Sequence, residues 1–75
     1  MKLFVSGFSE DARIGDLLDL FTDCGRVSAI RMCSGQKRCY AIVEMPFDDQ
    51  ATKAIWQVDG KQIDGEQIQV RESQW

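Results

Sequence analysis

The sequence predicts an α+β domain: a four-stranded antiparallel sheet with two helices on one face. Three observations predict it. Four short runs alternate apolar and polar residues at the period of a strand. Two other segments space their apolar residues three and four apart, the period of a helix. The runs follow one another as strand, helix, strand, strand, helix, strand.

The first strand is Lys2–Ser6, with Leu3 and Val5 on one face and Lys2, Phe4 and Ser6 on the other. Gly7 and the polar residues 9–11 end it. Ile14, Leu17, Leu20/Phe21 and Cys24 then recur at helical spacing. Asp11 is the best candidate for the cap, and Gly25 stands where a glycine closes a helix. Val27–Cys33 alternates, with Ile30 and Met32 opposite Ala29, Arg31 and Cys33. Residues 34–37 are a turn. Arg38–Met45 is the third strand, with Cys39, Ala41, Val43 and Met45 facing inward and Arg38, Tyr40, Ile42 and Glu44 outward. Pro46 ends it. Asp48 can cap a second helix carrying Ala51, Ala54, Ile55 and Val58. Residues 62–64 form a short extended piece. In the last strand Ile68 and Val70 alternate with Gln69 and Arg71. The order β-α-β-β-α-β is the ferredoxin-like split βαβ plan.

At 75 residues the chain is read as one domain, residues 1–75, around one core. With 44% hydrophobic and 28% charged residues it has the composition of a folded soluble domain, not of a disordered one. No apolar run approaches the roughly 20 residues that span a bilayer. The opening Met-Lys-Leu-Phe-Val-Ser-Gly lacks the apolar stretch of a signal peptide, so a cytoplasmic location and no membrane partner are expected. There is no His, which removes imidazole catalysis and His-ligated metals. Cys24, Cys33 and Cys39 form no Cys-x-x-Cys pair and read as free thiols. Cys24 and Cys39 are expected to be buried and Cys33 to face outward near the hairpin turn. No metal or cofactor is expected.

Two motifs carry a resemblance. The third strand reads Arg38-Cys39-Tyr40-Ala41-Ile42-Val43-Glu44-Met45, and the first strand and its exit read Leu3-Phe4-Val5-Ser6-Gly7-Phe8. In this order they resemble the octamer and hexamer of the RNA-recognition motif family. The similarity covers essentially the whole chain, and Val43-Glu44-Met45-Pro46 resembles the small single-domain bacterial members. The resemblance implies an RNA-binding domain that stacks bases on outward aromatics of the sheet. Carried onto this chain, those aromatics are Phe4 and Tyr40, expected side by side. Ile42 stands where the family carries a third ring, so it offers apolar contact without stacking.

The net charge of −3 argues, as a sum, against a nucleic-acid partner. Its distribution reverses that. Lys2, Arg31, Arg38 and Arg71 fall on outward sheet positions against Glu44, while Glu10, Asp11, Asp16, Asp19 and Asp23 gather in and before the first helix. Cations interleaved with aromatics are the footprint of a single-strand binder. The expected RNA-binding set is therefore Phe4, Tyr40, Arg38, Ile42, Lys2, Arg31, Arg71 and Gln69. Single-stranded RNA is the expected partner, with single-stranded DNA as an alternative ligand.

Two other classes are open to such a sequence. A protein-interaction or dimerisation module would use the acidic first helix or a Leu18/Trp56 patch. Those two residues lie beside the apolar stripes of their helices and read more simply as peripheral core, with Trp56 covering a helix edge. An enzyme would need a nucleophile–base set, paired carboxylates or a phosphate-cradling loop, and residues 7–13 supply none.

Overall fold

A computed structural model describes residues 1–9, 11–34, 39–63 and 65–73. Along the chain run β1 (Lys2–Ser6), α1 (Ile14–Thr22), β2 (Ala29–Ser34), β3 (Cys39–Glu44), α2 (Asp48–Val58), β4 (Gln62–Ile63), β5 (Glu66–Gln67) and β6 (Gln69–Ser73). The main sheet has the order β2-β3-β1-β6, all antiparallel. The βαββαβ plan holds. A small hairpin, β4–β5, is added before the last strand; its polar Glu66-Gln67 arm carries no alternation that could announce it.

Alternation dictates which face the helices cover. Leu3, Val5, Ala41, Val43 and Val70 are buried on one side of the sheet, against Leu17 and Phe21 of α1 and Ala51, Ala54 and Val58 of α2. Phe8 and Ala12, from the connection after β1, close the core where α1 begins. Ile14, expected in the apolar stripe, is the first residue of α1 and is 45% exposed. The β1–β3 centre is fixed by reciprocal bonds beyond the strands: Met45 N–H donates to the Met1 carbonyl and the Met1 ammonium to the Met45 carbonyl, both at 2.9 Å. At the other edge, Val70 N–H donates to Asp59 Oδ1 at 2.9 Å, tying β6 to the end of α2.

Both capping assignments are corrected. The N-cap of α1 is Arg13 and that of α2 is Phe47, and neither makes a side-chain cap bond. Asp11 stands outside α1, exposed in a turn where Ala12 N–H bonds the Ser9 carbonyl at 3.1 Å. Asp48 is the first residue of α2, where with Asp49 its charge faces the positive end of the helix dipole. Gly25 is needed for closeness rather than for a left-handed turn: an added Cβ would collide with the Gln50 side chain. That side chain accepts the Arg26 N–H at 2.8 Å and so joins the end of α1 to α2.

Candidate nucleic-acid interface

The helix-free face of the sheet is a grid set by register. One row runs Cys33, Tyr40, Ser6, Gln69 across β2, β3, β1 and β6. The middle row runs Arg31, Ile42, Phe4, Arg71. The third runs Ala29, Glu44, Lys2, Ser73. Phe4, Tyr40, Ile42, Lys2, Arg31, Arg71 and Gln69 thus share one face, as their strand parity requires. Arg38 lies outside the described residues, as do the hairpin turn at 35–37, Asp64 and Trp75.

The two aromatics are closer than side by side. Phe4 and Tyr40 are diagonal neighbours on β1 and β3, and their rings stack with centroids 5.4 Å apart and 24° between planes. Each supports the other in a fixed attitude. Tyr40 is 36% exposed and Phe4 half-buried. Ile42 fills the position directly opposite Phe4.

Cys33, directly across from Tyr40, is the neighbour that sequence reasoning placed on this face without giving it a contact. The Tyr40 phenol is held above its ordinary value of 10.0: it hydrogen-bonds Cys33, a Cys33 thiolate would oppose a second negative charge beside it, and partial desolvation adds to both. Tyr40 therefore presents a neutral hydroxyl to anything on the sheet. Cys24 is buried as expected, with its thiol directed at the Leu20 carbonyl and Gln57 Oε1. Cys39 is only half-buried, a correction: its strand position faces inward, but it starts β3 beside the hairpin end, where the helix layer covers it incompletely.

Lys2, Arg31 and Arg71 are exposed on this face. Its one described carboxylate, Glu44, sits 3.6 Å from Lys2 Nζ. Asp16, Asp19, Asp48 and Asp49 belong to the helices behind the sheet. A cleft of about 380 Å³ opens at the Lys2–Glu44 end of the grid, bounded also by Ser28, Pro46 and Ser73. A second, of about 270 Å³, borders Gln69 and Arg71. Alternation marked Glu44 as outward but could not reveal the cleft, which needs β1, β3 and the Pro46 turn together. Trp56 covers no helix edge: it is 82% exposed, because its helical phase is opposite the Ala51/Ala54/Val58 stripe. Leu18 is half-buried.

The chain is similar to known proteins over nearly its whole length. The family profile described as the RNA recognition motif matches residues 3–69. Human scaffold attachment factor B2 is 33% identical over 96% of this chain, which spans 8% of that protein. A mitochondrial glycine-rich RNA-binding protein 4 of Arabidopsis thaliana is 34% identical over 92% of this chain and 54% of its own length. RbpD of Nostoc sp., whose name marks it as a candidate RNA-binding protein, is 32% identical over 97% of this chain and 82% of its own length. Among solved structures, the third such domain of Pes4 superposes with a TM-score of 0.89 at 20% identity, covering 97% of this chain and 90% of that one. The Rna15 domain solved with bound GU RNA gives 0.84 at 19% identity, covering 97% and 82%. At these identities the superpositions speak for the fold.

Proposed function

The chain belongs to the RNA recognition motif family, and on that premise we propose that it binds single-stranded RNA on the open face of its sheet. As a member of this family it is a binding domain rather than an enzyme. The observation that carries the proposal is the stacked Phe4–Tyr40 pair between exposed Arg31 and Arg71. Bases stack on the free ring surfaces, which tolerates any sequence because every base has a π-face. The cations on both sides meet the backbone phosphates. Ile42 adds apolar contact to a base or sugar, and Gln69 supplies amide hydrogen bonds at the β6 edge. Relatives named as RNA-binding proteins support the reading.

The test is a fluorescence-anisotropy titration of a labelled, mixed-sequence single-stranded RNA with wild type and Phe4→Ala. Binding by the wild type that weakens at least fivefold in the variant, at unchanged fold content, supports the proposal. Equal affinity of both proteins contradicts it. The same titration with DNA of the same sequence decides between the two nucleic acids. Trp56, exposed on the opposite side of the domain, favours a second reading: self-association through the helix layer. Sedimentation that is independent of concentration would exclude it.

A further inference from the structure

The cleft at the Lys2–Glu44 end of the sheet has a donor–acceptor pattern of its own. The geometry points to a base-reading subsite there that selects guanine; this rests on the reading of the open face as an RNA platform. Lys2 and Glu44 are directly opposite on β1 and β3, with Nζ and Oε1 3.6 Å apart. Their side chains are 45% and 42% exposed. A pair so open to water holds weakly, and a ligand can take over its bonds. Lys2 is two residues before Phe4 on the same strand face and Glu44 is directly across from Lys2, so a base that extends from the Phe4 ring toward the start of β1 meets the pair. The cleft behind, about 380 Å³, falls within the roughly 300–1,000 Å³ of small-molecule sites.

The choice of base follows from counting groups. A carboxylate only accepts and has two oxygens; an ammonium only donates. Guanine presents two adjacent donors, N1–H and N2–H, which match both oxygens of Glu44. Its O6, next to N1, accepts from Lys2. Adenine and cytosine offer one exocyclic amino group to the carboxylate and a ring nitrogen to the ammonium. Uracil offers a single N3–H flanked by two carbonyls, one of which would face a carboxylate oxygen. Guanine alone uses the whole pair, on the Watson–Crick edge that single-stranded RNA leaves open. The Glu44 backbone carbonyl is already engaged by Ser28 N–H at 2.8 Å and Ser28 Oγ at 3.1 Å, so the strand that presents the carboxylate is fixed.

The experiment measures binding of a short uridine oligonucleotide and of four variants with one central guanosine, inosine, adenosine or cytidine. Wild type and Glu44→Gln are compared, with thermal melts to show that both are folded. In the wild type, guanosine binds about tenfold tighter than uridine, from the bidentate contact. Inosine, which keeps N1–H and O6 but lacks the N2 amino group, falls between them. In Glu44→Gln the guanosine advantage over adenosine disappears, because an amide pairs bidentately with adenine. A wild type that binds all the oligonucleotides alike overturns the subsite and leaves the RNA platform standing. So does a Glu44→Gln protein that keeps the guanosine preference. Failure of every oligonucleotide to bind overturns the platform itself, and the subsite with it.

Discussion

The Tyr40 ring stacks on that of Phe4, although neither residue is the other's partner in register: Phe4 is opposite Ile42 and Tyr40 opposite Ser6. A diagonal ring pair forms one continuous aromatic surface across β1 and β3. Losing either ring removes a stacking surface and also releases the other.

Tyr40→Ala is therefore expected to weaken RNA binding by roughly 1–3 kcal/mol, about 5- to 150-fold. The loss in stability should be small, at most the roughly 0.5–1.5 kcal/mol of a ring pair. Val43, one residue from Ile42 and fully buried, separates fold from function. Val43→Ala should destabilise the protein by about 2 kcal/mol through the cavity it opens, and affinity per folded molecule should persist. Denaturant melts paired with RNA titrations check both.

The phenol of Tyr40 makes a second prediction, and it is clean because the chain has a single tyrosine. Its ionisation, followed by ultraviolet absorbance, should have a midpoint above 10.0, with Cys33 as the largest cause. Cys33→Ala should move it back down. Because the folded value is raised, the contribution to stability is complete below the ordinary tyrosine value and fades as pH climbs through the folded one.

Thiol reactivity reports the same face. Cys24 should label last, since it is buried, while Cys33 and Cys39 are half-buried and react sooner. Bound RNA should slow labelling of Cys33, which lies across from Tyr40, more than that of Cys39, which faces the helices. Equal protection of both would place the RNA elsewhere.

Salt dependence counts the phosphate contacts. Lys2, Arg31 and Arg71 are the exposed cations described on the face. At about 0.7 per contact for single strands, log K against log salt should fall with a slope of about −1.4 from Arg31 and Arg71, near −2 where Lys2 meets a phosphate rather than a base, and about −3 if Arg38 contributes as well. A flat line would mean that none of these side chains meets a phosphate.

The fold was legible because its signals are local. Alternation in β1 and β3 placed Phe4, Tyr40 and Ile42 on one face, and a 3.6-residue period placed Leu17, Phe21, Ala54 and Val58 against the other. What stayed illegible depends on register or on packing between distant segments. Parity puts Phe4 and Tyr40 on a common face, but the ring contact needs the β1–β3 register. The same register brings Lys2 to Glu44, and the β2–β3 register brings Cys33 to Tyr40. Gly25 was readable as a helix stop, but its close approach to Gln50 comes from a helix 25 residues further along the chain. Trp56 looked like edge cover because burial favours tryptophan, whereas its phase on α2 leaves it in water.

The most direct measurement is an NMR titration of the labelled protein with a short, mixed-sequence single-stranded RNA. Amide shifts should concentrate on Phe4, Tyr40, Ile42, Arg31 and Arg71, across all four strands of the open face, and leave α1 and α2 largely unmoved. Shifts confined to the helices, around Asp19 and Trp56, or no shifts at a large excess of RNA, would contradict binding on the sheet.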